Sequence, residues 1–428
     1  MEMKKYKLGE LMDVTRGQSL SGEYYSKSGN LVRLTLGNFD YHNNCFKDDK
    51  SKDNLYFTGS VKKEFILEKD DIITPLTEQA IGLLGSTAKI PCSGKYIQSQ
   101  DVALIKCNKK LNPDFAFYLI PSKIVRNQLS AAAQQTKIRH TSPDKIKDCS
   151  VWVPEYSEQE KIGKLLSRID NKIAINRQIN RNLEELAKQI YDYWFVQFDF
   201  PNEEGKPYKS SGGKMIWNET LKREIPESWE SGKIGDLFES QAGFAFKSSE
   251  WSHFGYPVLT IKNIQNDGSV SFNDTTFIKN YNDKLEKYTV NNGNMIFAMS
   301  GNTIGKIGII ATNEKNVLIN QRVLILRTTT STIAFPYFIV SNQNVQNLVF
   351  QLGANSVQPN ISEDKFKNIG ICIPNRKILQ LFNVKLTSVF EKIISNRISI
   401  QELTTLRDSL LPLLMNGQVT LNSCLSHD

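Results

Sequence analysis

The chain has 428 residues, 40% of them hydrophobic, which is enough for two or three separate cores rather than one. Its 53 Lys and Arg against 45 Asp and Glu leave a net charge of +8, which excludes an acidic protein and permits contact with nucleic acid without demanding it. Six scattered cysteines without a C-x-x-C pair exclude a disulfide framework and a zinc module, and the absence of a long apolar run excludes a membrane span, so a reducing cytoplasmic location is expected.

Residues 1–156 alternate short apolar runs, such as Leu31–Leu36, Phe65–Ile73 and Ile97–Ile105, with Gly, Pro, Asn and Asp. They read as strands of an irregular sheet, with one helix predicted over Pro113–Leu129. Ser157 and Glu160 have the spacing of a capping box and open a helix over 157–200. Ile162, Leu166, Ile169, Ile173, Leu183, Ala187, Ile190 and Trp194 step by threes and fours along it, a seam for a partner helix, interrupted by Asn176 and Asn180. Such a helix would be roughly 60 Å long at 1.5 Å per residue. It ends in an aromatic block at Pro201, and 201–230 reads as a linker, mostly loop, with an anchor near Ile225, Pro226 and Trp229.

Residues 231–375 then repeat the first region. Lys7-Leu8-Gly9-Glu10-Leu11 is echoed by Lys233-Ile234-Gly235-Asp236-Leu237, and Val153-Pro154 by Ile373-Pro374 at an offset of 220. The same offset carries the first long helix onto 376–417, where Phe382, Leu386, Val389, Ile393, Leu403 and Leu410 form a second stripe. Asn396 then answers Asn176, and this pair is expected to set the register of the two helices. Residues 418–428 are left as a tail. The expected fold is α+β: two similar mixed α/β globules joined by two long helices that pair as an antiparallel coiled coil, with an internal pseudo-two-fold.

A chain that imitates a symmetric dimer has the symmetry of duplex DNA, so two reading heads separated by a helical ruler are expected. No constellation for chemistry accompanies them. There is no N-P-P-Y or D-P-P-Y pocket, no phosphate-binding glycine loop and no nucleophile elbow; Gly301-Asn302-Thr303-Ile304-Gly305-Lys306-Ile307 reads as a turn, and Asp144 with Ser142 as the start of a helical turn. No catalytic residue and no metal ligand is assigned. His140 stands alone, a structural residue or a polar contact rather than a base.

The block Ile190-Tyr191-Asp192-Tyr193-Trp194-Phe195-Val196-Gln197-Phe198-Asp199-Phe200-Pro201 resembles the central conserved region of specificity subunits of type I restriction–modification systems. Tyr208–Met215, Ile225–Trp229 and Leu411-Pro412-Leu413-Leu414-Met415-Asn416-Gly417 fit the same family, so the resemblance covers nearly the whole chain. It implies a non-catalytic subunit whose two target recognition domains each read half of a split DNA sequence, while the helices set the spacing and dock two methyltransferase subunits and, with them, restriction subunits. S-adenosylmethionine, ATP and magnesium would belong to those partners, with no cofactor in this chain. Tyr191, Tyr193, Trp194, Phe195, Phe198, Leu411 and Leu414 are the expected subunit-binding residues.

Base edges are read best by Arg, Lys, Asn and Gln, and phosphates by basic and hydroxyl groups. The first candidate loop holds Gln134, Gln135, Thr136, Lys137 and Arg139, matched by Asn355, Ser356, Gln358 and Asn360 in the repeat. Second are two glycine turns, with Arg16 and Gln18 in one and Lys247 in the other. Third are polar residues at strand ends: Arg33, Thr35, Gln98 and Gln100 in the first globule, and Lys262, Asn263, Asn320, Gln321 and Arg322 in the second. Two rival readings remain open in the sequence. One is a coiled-coil protein scaffold without sequence-specific DNA binding, and the other a diverged DNA methylation or restriction enzyme.

Overall fold

The computed structural model describes residues 2–41, 43–49, 51–78, 82–132, 139–273, 275–330, 332–354 and 359–421. The chain divides into two compact units, Met1–Asn171 with Leu403–Asp428 and Lys172–Glu402. Eight α-helices are described: α1 (Pro113–Leu119), α2 (Lys123–Ala132), α3 (Pro143–Asp148), α4 (Tyr156–Tyr191), α5 (Ala334–Ser341), α6 (Gln343–Gly353), α7 (Glu363–Lys367) and α8 (Arg376–Met415). Among the described residues, no helix is long and apolar enough to cross a membrane.

In the first unit a four-stranded antiparallel sheet has the order Ala88–Lys89, Ile72–Pro75, Val102–Cys107, Met12–Arg16. Its longest strand, Val102–Cys107, is central, and Val102, Ala103, Leu104 and Ile105 are buried because both faces are covered. A strand at Met3–Lys7 pairs with Ser150–Pro154 and closes the unit. Its core gathers Leu8, Leu11, Phe115, Tyr118, Val125 and Ile146 with Ile162 and Leu166 of α4 and Leu414 and Met415 of α8.

The second unit repeats this plan in its own residues. The sheet order is Ile307–Ile309, Met295–Ala298, Val323–Thr328, Phe238–Ala242, and Glu230–Lys233 pairs with Gly370–Ile373. The registers correspond strand by strand: Val102 faces Pro75 as Val323 faces Ala298. Thr35 and Thr260 each open a short 3-10 turn closed by Asn38 or Asn263. Within this unit α4 and α8 run antiparallel, since Phe195, just beyond the end of α4, packs edge-on against Phe382 (4.7 Å between ring centroids), whereas Asn180, earlier in α4, meets Asn396, later in α8. The seam residues Phe382, Leu386 and Ile393 are at most 1% exposed.

Several local expectations are corrected. The helix predicted over Pro113–Leu129 is two helices, because Pro121 lacks the N–H that would continue α1 and α2 begins afresh at Lys123. α4 starts at Tyr156, one residue before the expected cap, and the Glu155 carbonyl accepts from the N–H groups of Glu158 and Gln159. The structure therefore gives no cap role to Ser157. Gln159, 1% exposed, instead ties the helix start to the globule, donating to the carbonyls of Lys110 and Pro154 and accepting from the Asn112 N–H.

At its far end α4 widens into a π-turn over Asp192–Val196, and Phe198 turns the chain with a positive φ of 64°. The segment read as mostly loop contains a hairpin, Met215–Asn218 with Arg223–Pro226. Gly301–Thr303 is a 3-10 turn with positive φ at Gly301 and Gly305, so the segment is the turn the sequence suggested. Ser142 caps α3, its Oγ accepting from the Lys145 N–H at 3.3 Å.

Candidate nucleic-acid interface

Each unit builds a polar rim where its central sheet ends. In the first, the strand Met12–Arg16 leaves the sheet at Gly17, whose N–H donates to the Val102 carbonyl at 3.3 Å; the next N–H, of Gln18, donates to the Gln98 carbonyl at 3.1 Å. A Cβ on Gly17 would lie 2.3 Å from the carbonyl oxygens of Gln98 and Ser99, so only glycine allows this crossing. Arg16, exposed, donates Nε to the Gln100 carbonyl at 2.7 Å. On the other side, Arg139–His140 pairs with Thr77–Glu78, and Thr77 Oγ1 lies 3.3 Å from both Asp101 Oδ1 and His140 Nδ1. Glu78 accepts from the backbone N–H groups of Gly82 and Leu83 at 2.7 and 3.1 Å, and from Arg139 at 3.5 Å.

Three segments far apart in sequence, 16–18, 99–101 and 139–140, are thus joined in one rim. Beside it lies a cleft of about 200 Å³ lined by Tyr25, Arg33, Thr35, Asp49, Lys52, Gln100 and Asp101 among others. Burial opposes the charge on Asp49, but hydrogen bonds from Ser51 and Thr35 outweigh it and hold the carboxyl below its ordinary range.

The second unit reproduces the geometry with other side chains. Gly243 donates its N–H to Val323 and Phe244 to Ile319, at 3.0 and 2.8 Å. A Cβ on Gly243 would meet the Asn320 carbonyl at 2.3 Å. Gly301 donates to the Pro359 carbonyl, and Ser300 bridges to Asn360 as Thr77 pairs with His140. Gln321 and Arg322 are exposed on this rim, and Asn320 Oδ1 accepts from the Arg322 N–H at 3.3 Å. The rims differ in chemistry: Asp101 and Arg322 occupy equivalent places, as do Gln18 and Phe244.

The candidate residues separate by burial. Arg16, Gln100, Lys247, Lys262, Gln321, Arg322 and Asn360 are exposed; Gln18, Thr35, Arg139 and Asn320 are half-buried. Three are corrected to structural roles. Gln98, 1% exposed, donates Nε2 to the carbonyls of Thr15 and Val102, and its counterpart is the apolar Ile319. Asn263 is buried, accepting from the Thr260 N–H at 2.8 Å and donating to the Ser271 carbonyl at 2.9 Å. Arg33 is buried with its guanidinium 3.9 Å above the Tyr25 ring, so it shapes the cleft from within. Gln134, Gln135, Thr136, Lys137, Asn355, Ser356 and Gln358 lie outside the described residues. Thr77, Asp101 and Ser300 also stand on the rims, although single polar residues at strand ends carry no pattern until the strands are paired.

The aromatic block is also corrected. Tyr191, Trp194, Phe195 and Phe198 are at most 6% exposed and pack with Trp229, Phe335 and Phe382 in the core of the second unit, so they hold this chain together and present no docking surface. Tyr193 is 40% exposed. Leu414 is fully buried in the first unit and Leu411 half-buried. Among the described residues no group of His, Cys, Asp and Glu could hold a metal ion.

This duplicated architecture has known counterparts. The type I restriction enzyme MjaIX specificity subunit of Methanocaldococcus jannaschii is 24% identical over 312 residues, spanning 72% of this chain and 69% of the relative. The HindI specificity subunit of Haemophilus influenzae is 23% identical over 378 residues, spanning 76% and 81%. The crystal structure of a type I restriction–modification S subunit from M. genitalium shares the fold with a TM-score of 0.61 at 16% identity, covering 97% of this chain and 96% of the other. The family described as "Type I restriction modification DNA specificity domain" matches twice, at residues 1–185 and 226–405, once over each copy of the globule with its helix. With most of its length accounted for by these two matches, the chain belongs to the type I restriction–modification DNA specificity family.

Proposed function

We propose that this chain is the DNA-reading subunit of a type I restriction–modification assembly, each unit recognising one half of a split duplex target through its rim. The observation that carries the reading is the duplicated rim: one backbone framework, held by Gly17 in one unit and Gly243 in the other, displays different side chains in the two. A shared frame with different readers suits two unrelated half-sites. Gln100 in the first unit and Gln321 and Arg322 in the second are the exposed base-edge readers; Arg16, Lys247 and Lys262 serve the phosphates.

The chain itself performs no chemistry in this reading. It positions two methyltransferase subunits and restriction subunits, which bring S-adenosylmethionine, ATP and magnesium, and the target adenine leaves the duplex into a methyltransferase. Mapping methylated adenines in the host genome defines the target. Anisotropy titrations with that duplex, in the presence of methyltransferase subunits, then test the reading. Arg322→Ala should cost about 1–3 kcal/mol on the second half-site and nothing on the first. Equal losses at both half-sites, or affinity indifferent to salt, would overturn it.

A further inference from the structure

The two helix–globule joints are built on one plan but closed by opposite chemistry. In the first unit Tyr118 of α1 donates its hydroxyl to Asp170 Oδ2 of α4 at 2.6 Å, and Arg407 of α8 donates Nη1 to Asp170 Oδ1 at 2.9 Å. The Arg407 side chain is only 11% exposed and that of Asp170 27%, so the pair is largely withdrawn from water. The offset of 220 carries Tyr118 onto Phe338 and Asp170 onto Phe390, and it carries Ala187 onto Arg407. In the second unit those three residues belong to one apolar core. The rings of Phe338 and Phe390 stand edge to face at 5.8 Å, and Ala187, 0% exposed, lies in the same core.

Repetition creates a competing state. Because α4 and α8 carry related seams, α4 could pair with the α4 of a second copy of this chain, and α8 with its α8. Asp170 would then face Ala187, and Arg407 would face Phe338 and Phe390, so two carboxylates would be buried without an opposite charge and two guanidinium groups would keep only the neighbouring Asp408, at 2.8 Å on the same helix. A buried charge stripped of its partner is strongly destabilising, whereas replacing the whole pair by apolar groups is close to neutral. We propose that the Tyr118–Asp170–Arg407 cluster, placed at only one of the two equivalent joints, excludes pairing of α4 with α4 and of α8 with α8 between two copies of the chain. Only an α4–α8 pairing gives Asp170 its Arg407, as it gives Glu184 its Arg397 at 2.9 Å in the second unit. The cluster acts against a wrong partner more than in favour of the right one.

The inference is independent of DNA reading and is tested on the full-length chain without DNA. Two triple variants make the joints alike. Tyr118→Phe with Asp170→Phe and Arg407→Ala makes both apolar; Phe338→Tyr with Phe390→Asp and Ala187→Arg makes both polar. Light- and heavy-isotope copies of each chain are mixed in urea, refolded together and weighed by native mass spectrometry, with circular dichroism identifying the folded samples. The wild type should refold as monomer, and each folded variant should give mixed light–heavy dimers at about ten times the wild-type fraction or more. The exchanged pair Asp170→Arg with Arg407→Asp, which keeps the charges on one joint, should stay monomeric. A folded triple variant whose fraction of mixed dimers equals that of the wild type would overturn the proposal.

Discussion

Asn396 donates its Nδ2 to Oδ1 of Asn180 at 2.9 Å between the two long helices, and Asn180 passes its own Nδ2 to the Ile393 carbonyl at 3.3 Å. Both side chains are buried. The sequence offset had matched Asn396 with Asn176, but that match marks equivalent positions in the repeat, and equivalence is not contact. In an antiparallel pair, a residue meets the counterpart of a different position. Asn396→Leu alone should cost about 1–3 kcal/mol, because it leaves Oδ1 of Asn180 buried and unbonded. Adding Asn180→Leu should recover most of that loss. Urea midpoints for both singles and the double measure this, and simple additivity would show that the pair is not coupled.

Gly17 and Gly243 are places where a single methyl group has nowhere to go, with carbonyl oxygens 2.3 Å from the position of a Cβ. Gly17→Ala and Gly243→Ala should each destabilise their own unit by about 2–3 kcal/mol. Hydrogen exchange should show faster opening at Val102–Cys107 for the first and at Val323–Thr328 for the second. DNA binding should weaken at one half-site per variant.

Phe195 and Tyr193 are two residues apart but belong to different environments, one 6% and the other 40% exposed. Phe195→Ala empties the aromatic core and should cost about 3–5 kcal/mol in thermal or urea unfolding. Tyr193→Ala should change stability by no more than about 0.5 kcal/mol. If Tyr193 belongs to a docking surface, its loss should appear as reduced co-purification of methyltransferase subunits from a chain that folds normally.

Asp199 accepts from the hydroxyl and the N–H of Ser210, at 2.6 and 2.8 Å, just past the aromatic block. The Ser210 hydroxyl, working against burial and helped by the N–H groups of Ser210 and Lys209, lowers the carboxyl below its ordinary range. A depressed carboxyl contributes stability above its unfolded pKa of about 4, and that contribution is lost as pH falls through the folded value. Wild-type protein should therefore lose stability on acidification more steeply than Asp199→Asn, which should be less stable at neutral pH. Parallel acid profiles in a pH series of urea titrations would contradict this.

Much of the architecture was legible in the sequence because it rests on periodicity and repetition, which are local or nearly local. The stripe from Ile162 to Trp194 specifies an amphipathic helix whatever surrounds it. The offset of 220 identifies a second helix of the same kind, and with it a chain of two matched halves. The block from Tyr191 to Phe200 pointed to the family, yet its aromatic side chains gave no sign of which surface they cover. The structure turns most of them inward onto Phe335 and Phe382.

The sequence by itself determined the helices, the duplication and the family, since each is written in spacing along the chain. Only the tertiary structure decided which polar residues face water and which are ties. Gln98 and Gln100 are indistinguishable as letters, but Gln98 points inward to the Thr15 and Val102 carbonyls while Gln100 faces water. That difference arises because the extended chain ends at Ser99 and Gln100 lies in the turn that the Val102 N–H closes on the Ser99 carbonyl, while Gln98 is aimed at a strand 83 residues earlier in the chain. The meeting of Asp170 with Arg407 has the same origin: two long helices must first pair before a carboxylate on one can find a guanidinium on the other.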